Sequence, residues 1–228
     1  HRAHRDLHSF PTRRSSDLGT DVVLSEDSIF VSYTHDYSDP DGIIKFDKTT
    51  FERVASGSCA RAGTPYYDED NNTIYLFTNG VAQCKYNAET METIVKDRMW
   101  QIGFVAEYNE QLYGTYGNSI AVIDPSKSPE TMSSIRSVLS GTEQFYSKPV
   151  IINGVFYAGT NKGGVYARNL ETGESAYFPI SSSYVTEIKY GEGVLAIRYI
   201  DTDQSIKLLI AGLGDFKIQS TKNVVLNS

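Results

Sequence analysis

Residues Val150 to Glu174, VIINGVFYAGTNKGGVYARNLETGE, make one complete unit of two hairpins, and blurred copies of it recur along most of the 228-residue chain. A unit of about 40 residues built from short strands cannot bury both of its own faces, so copies must stack until a shared core closes. The second strand of each copy begins at Ile29, Ile74, Leu112, Val155 and Val194, at spacings of 45, 38, 43 and 39 residues. Five copies fill residues 19–228 on this count.

Each first hairpin runs from an apolar strand through a polar turn to an aromatic-rich strand, as in Asp70-Asn71-Asn72-Thr73-Ile74-Tyr75 and Ile152-Asn153-Gly154-Val155-Phe156-Tyr157. Asn, Asp and Gly allow the positive φ that tight hairpin turns demand. The second hairpin turns on Asp47-Lys48-Thr49-Thr50, Asn87-Ala88-Glu89-Thr90 and Asn169-Leu170-Glu171-Thr172, with Asp124-Pro125-Ser126-Lys127 as a longer variant. The acidic or amide group opening each turn is placed to bond the backbone N–H groups just ahead of it, and the threonine does the same later in the turn. Strands such as Ile43-Ile44-Lys45-Phe46 and Ile120-Ala121-Val122-Ile123 are too apolar for a sheet with one wet face, which implies sheets covered on both sides by their neighbours. Together these features predict an all-β chain, a partial β-propeller with about five four-stranded blades visible.

In the fourth unit Asn153, Gly154, Tyr157, Ala158, Gly159, Gly164, Tyr166, Ala167, Thr172, Gly173 and Glu174 follow a pattern that resembles the quinoprotein-type (PQQ-like) propeller repeat. The likeness covers that unit well and the other four loosely, and WD40-like or other bacterial propeller repeats remain alternatives. It departs where the family ends its unit with tryptophan, since Tyr177-Phe178 stands there. The resemblance implies the fold. The visible repeats supply structural positions and no recognisable cofactor site, so no quinone or other cofactor is expected.

Residues His4 to Leu18, HRDLHSFPTRRSSDL, resemble the translation of a short-read sequencing adapter, as at the artificial end of an assembled metagenomic fragment. Residues 1–18 are accordingly expected to be a non-native, disordered tail, and residues 19–228 a propeller lacking its true N-terminus. A basic tail or nucleic-acid-binding arm is the alternative. The segment holds four arginines and two aspartates, so without it the balance is two units more negative than the −7 of the whole chain. An acidic chain without a Lys/Arg cluster argues against nucleic-acid and anionic-membrane partners. No apolar run approaches the roughly 18 residues a membrane-spanning helix needs. The compartment stays open, with a periplasmic, cell-surface or secreted location favoured.

Cys59 and Cys84 are too few for a disulfide framework and lack any C-x-x-C spacing. Each is expected to be a small buried hydrophobe, with a single bridge between them as the alternative. No nucleophile elbow, Walker loop or dinucleotide fingerprint is present. His35-Asp36-Tyr37-Ser38-Asp39-Pro40-Asp41-Gly42 is the densest polar cluster after the tail, but its spacing misses the EF-hand pattern, so it is read as a solvated hairpin loop and no metal is expected.

Short stereotyped turns and long irregular segments fall on opposite faces if each unit is a four-stranded blade. Binding residues tend to sit on variable loops held by a rigid scaffold, which places any functional surface on the irregular face. Candidate ligand-binding residues there are His35, Asp36, Tyr37, Arg61, Trp100, Tyr146 and Tyr184, whose aromatic, guanidinium and polar groups suit stacking on sugars or anchoring a protein. The leading expectation is non-catalytic binding or scaffolding of a protein or glycan partner. The rival is an extracytoplasmic, carbohydrate-active hydrolase or lyase using carboxylates such as Asp36, Asp41, Asp97 or Glu143 at the channel mouth. Carboxylates converging in a concave pocket favour the enzyme, and aromatics on a shallow face favour the binder.

Overall fold

The computed structural model describes residues 18–34, 42–59, 63–77, 83–98, 104–123, 133–135, 138–181, 183–214 and 217–224. They form twenty strands in five antiparallel sheets and, among the described residues, no helix. Every sheet has four strands in chain order, the meander that successive hairpins produce. The first comprises β1 (Leu18–Leu24), β2 (Ser28–Thr34), β3 (Gly42–Asp47) and β4 (Arg53–Ser58), and the second β5 (Thr64–Asp68), β6 (Thr73–Phe77), β7 (Gln83–Asn87) and β8 (Thr93–Arg98). The third comprises β9 (Val105–Tyr108), β10 (Gln111–Tyr116), β11 (Ser119–Ile123) and β12 (Ser133–Ile135). The fourth comprises β13 (Val150–Ile152), β14 (Val155–Gly159), β15 (Gly164–Asn169) and β16 (Ser175–Pro179), and the fifth β17 (Tyr184–Gly191), β18 (Val194–Ile200), β19 (Ile206–Gly214) and β20 (Lys217–Val224). The expected starts of the second strands, Ile29, Ile74, Leu112, Val155 and Val194, fall on the first or second residue of β2, β6, β10, β14 and β18.

The chain divides into two compact units, the first holding the first two sheets and the second the last three. In the first unit Phe30 and Ile43 pack with Ile74, Leu76, Cys84 and Tyr86. In the second, alternation along β14 serves two neighbours at once. Phe156 and Ala158 join Ile120, Phe145 and Tyr166 in one core cluster, while Val155 and Tyr157 join Val185, Ile188, Leu195 and Ile197 in another. All five β14 residues are buried, as the apolar run required. Each fully buried Leu, Ile or Phe contributes about 1.5–3 kcal/mol, so the faces between sheets hold the unit together.

The second-hairpin turns repeat in atomic detail. Asp47 Oδ1 accepts from the N–H groups of Thr49 and Thr50, Asn87 Oδ1 from Glu89 and Thr90, and Asn169 Oδ1 from Glu171 and Thr172, all at 2.7–3.0 Å. Thr50, Thr90 and Thr172 Oγ1 then accept from Glu52, Glu92 and Glu174. The next turn residue donates its N–H to the first hairpin of the same sheet: Lys48 to Asp27 O, Ala88 to Asn72 O and Leu170 to Gly154 O. The Asp124 variant lies outside the described residues.

The cysteines correct the leading expectation. Cys59 and Cys84 are buried, at 1% and 0% exposure, but they form a disulfide with Cα atoms 6.1 Å apart. Cys59 follows β4 and Cys84 lies in β7, so the bridge ties the exit of the first sheet to the third strand of the second. Geometry decided this, because stacking brings together residues that are 25 apart in the chain.

Candidate functional site

On the irregular-loop side of the second unit, Thr160 closes the turn after β14. Its N–H donates to Gly164 O at 2.9 Å, and its Oγ1 accepts from Lys162 and Gly164 N–H, both at 3.3 Å. The connection over residues 138–149 is pinned to this turn and to the one after β10. Phe145 N donates to Gly117 O at 2.9 Å, Tyr146 N to Gly159 O at 2.8 Å, and Asn161 N to Gln144 O at 3.0 Å. Val185 N donates to Thr160 O at 3.0 Å, which fixes the chain entering β17 at the same place. Buried Thr160 thus ties its own turn to the entry of β17, and through its hydroxyl to Glu143 of the connection.

Two tyrosines project from this framework. Tyr146 and Tyr184 are 47% and 40% exposed, and their rings lie 5.1 Å apart at 36°. Beside them Glu143 Oε1 accepts from Thr160 Oγ1 and from Tyr177 Oη, both at 2.6 Å. Burial, followed by the bond to Glu143, raises the Tyr177 phenol above the ordinary tyrosine range, so it remains a donor. Glu143 and Tyr177 line a groove of about 410 Å3 that also includes Leu139, Ser140, Tyr166 and Ser175. At 0.4 nm3 it lies in the range of small-ligand sites.

A second hollow, about 320 Å3, lies on the short-turn side of the first unit among Glu26, Asp27, Glu69 and Glu89. Its cation is engaged: Lys45 Nζ donates to Ala88 O and Glu89 O, both at 3.0 Å, and lies 5.9 Å from the Phe30 ring centroid. This is packing between adjacent sheets. No group of three or more His, Cys, Asp or Glu side chains able to hold a metal occurs among the described residues.

Of the residues singled out from sequence, Tyr146 and Tyr184 are brought into contact. His35, Asp36, Tyr37, Arg61 and Trp100 lie outside the described residues, as does Asp41, and the Asp97 side chain is not described. Sequence reasoning missed Thr160 and Tyr177 as site residues, and treated Glu143 only as one acid among several. Tyr177 carried a signal in the departure from tryptophan at that position. Nothing local distinguishes Thr160 from any other turn threonine.

No family model matches the chain, and no curated protein matches it. Solved structures do. BamB from Moraxella catarrhalis superposes with a TM-score of 0.57 at 12% identity, covering 88% of this chain and 60% of that one. Hsv2 from Kluyveromyces lactis gives 0.55 at 13% identity, covering 93% and 65%, and the computationally designed Ika8 protein gives 0.54 at 11%, covering 85% and 71%. The chain thus spans less than two thirds of the length of BamB and Hsv2. These similarities define the fold class as a partial β-propeller, with the five four-stranded sheets as its blades.

Proposed function

We propose that this chain is a non-catalytic binding or scaffold propeller that takes a protein or glycan partner on its irregular-loop face, in an extracytoplasmic compartment. The observation that carries this reading is the exposed Tyr146–Tyr184 pair on a loop framework pinned through Thr160. Rigid tyrosines supply contact area at small conformational cost. Glycoside cleavage calls for a pair of carboxylates, whereas Glu143 is bonded on one oxygen by two hydroxyls. Asp201 and Asp203, in the corresponding turn of the fifth blade, are engaged by Lys207. The buried disulfide fits an oxidising compartment. His35, Asp36, Tyr37, Arg61 and Trp100 belong to the same reading as further contacts.

Retention on immobilised xylan, mannan, cellulose and cross-linked bacterial envelope proteins tests it. The expected result is retention that falls at least tenfold in Tyr146→Ala/Tyr184→Ala while the unfolding midpoint is kept, with no reducing ends released. Retention indifferent to both tyrosines would sink the reading. Release of reducing ends, abolished by Glu143→Gln, would replace it with the hydrolase.

A further inference from the structure

We infer that the groove beside Glu143 and Tyr177 is a subsite for a neutral glycan. This rests on the binding reading above and assigns a ligand class to part of that surface. Its volume, about 410 Å3, suits a few sugar rings, whereas a protein partner needs an interface of roughly 1,200 Å2 or more.

The lining has the two-sided chemistry of a pyranose, which offers C–H groups on its faces and hydroxyls at its edge. Val138 and Ala176, both half-buried, supply apolar surface over the buried Leu139 and Tyr166, and Tyr177, 41% exposed, supplies an aromatic wall. Ser140, Ser175 and Glu143 supply hydroxyls and a carboxylate.

The polar groups are held in advance. Two bonds of 2.6 Å fix Glu143 through Oε1, and among the described residues no group bonds its Oε2, which leaves a charged acceptor for a sugar hydroxyl. Tyr177 is fixed from the other side as well: a Cβ on Gly164 would come within 2.7 Å of the Tyr177 Cε1, so the ring lies directly over a glycine backbone. Pre-fixed groups lose little freedom on binding, which is where weak sugar contacts ordinarily lose affinity. The charge pattern narrows the class further. Glu143 is negative and, among the described residues, no Lys, Arg or His lines the groove, which sets it against phosphate, sulfate and uronate groups.

Calorimetric titration with cellohexaose, xylohexaose, mannohexaose and laminarihexaose tests the assignment, with polygalacturonate and an oligolysine peptide as competing probes. The inference expects at least one neutral hexasaccharide to bind. Glu143→Gln and Ser175→Trp, the latter filling the groove from an exposed position, should each weaken it at least tenfold at unchanged unfolding midpoint. Binding untouched by both variants overturns the inference, as does preference for polygalacturonate or for oligolysine. Sugar binding lost only in Tyr146→Ala/Tyr184→Ala overturns the groove while leaving the proposed function intact, and so does retention on envelope proteins with no response to any hexasaccharide. Failure of every probe and every retention assay removes both.

Discussion

Gly57 lies against the ring of Tyr86, so closely that a Cβ on Gly57 would come within 2.8 Å of the Tyr86 Cδ1 and Cζ. Gly57 is in β4 and Tyr86 in β7, and the Tyr86 hydroxyl donates to Ser58 O at 2.8 Å. The largest fully buried ring of the first unit therefore fills the space a side chain would occupy. Gly57→Ala is expected to destabilise the chain by about 1–3 kcal/mol, the range for overpacking a full core. Tyr86→Phe keeps the ring, and its loss is expected near 1 kcal/mol, for the hydrogen bond alone. Urea unfolding of both variants checks the order. A Gly57→Ala midpoint equal to the parent's would show that the two strands separate freely.

The disulfide acts two residues away from each member of that contact. Bridging Cys59 and Cys84 closes a loop with a sequence separation of 25, which removes about 3–4 kcal/mol of denatured-state freedom in the chain-entropy treatment. Cys59→Ala/Cys84→Ala is expected to lower stability by about that amount, and reductant to lower the parent's unfolding midpoint while leaving the double variant's unchanged. Equal midpoints for the parent with and without reductant would contradict the assignment.

Acid should act selectively on one of three equivalent turns. The N–H groups of Thr50, then Thr49, hold the Asp47 carboxyl below its ordinary value of 3.8, while Asn87 and Asn169 make the same bonds without titrating. A depressed folded pKa means the contribution is complete above the unfolded value and is lost as pH falls through the folded one. NMR titration of Asp47 is expected to give a midpoint below 3.8, and Asp47→Asn to keep the turn while removing its share of acid sensitivity. A midpoint at or above 3.8 would contradict the bonding pattern.

Alkali should act through tyrosines whose hydroxyls are raised above their ordinary value. Burial raises Tyr157 and Tyr113 above the ordinary 10.0, and burial together with the Glu143 bond raises Tyr177. A raised folded pKa means the stabilisation is intact below 10 and declines as pH rises from there through the folded values. Unfolding midpoints are expected to be flat to about pH 10 and to fall above it, less steeply in Tyr177→Phe. A fall beginning well below pH 10 would point to another group.

The ring pair on the loop face has its own measurable coupling. A double-mutant cycle over Tyr146→Ala and Tyr184→Ala is expected to give about 0.5 kcal/mol, the low end for aromatic pairs, since both rings are partly in water. Zero coupling would mean that the two rings are independent in solution.

Much of the blade was legible residue by residue because its causes are local. Asn153 and Gly154 adopt φ of 49° and 75°, as an Asn-Gly hairpin turn demands, and the Asp47, Asn87 and Asn169 turns bond as their spacing implies. The double burial of β14 and β15 was legible for a similar reason, since a run without polar alternation has nowhere wet to face. The site was less legible. Tyr146 and Tyr184 could be picked as loop aromatics, but their contact arises because Tyr146 N bonds Gly159 while Val185, next to Tyr184, bonds Thr160. The Glu143–Tyr177 bond spans 34 residues, from the connection before β13 to strand β16.

By itself, then, the sequence determined the strands, their turns and the need for sheets to lean on one another, because hydrogen bonding within a hairpin and the burial of a strand face depend on residues only a few positions apart. Only the tertiary structure decided that Cys59 finds Cys84, that Tyr86 covers Gly57, and that Thr160 gathers Glu143, Tyr177 and the two loop tyrosines. Those pairings depend on how adjacent blades are rotated and spaced, which is set by the summed packing of whole sheet faces and is written in no short stretch of chain.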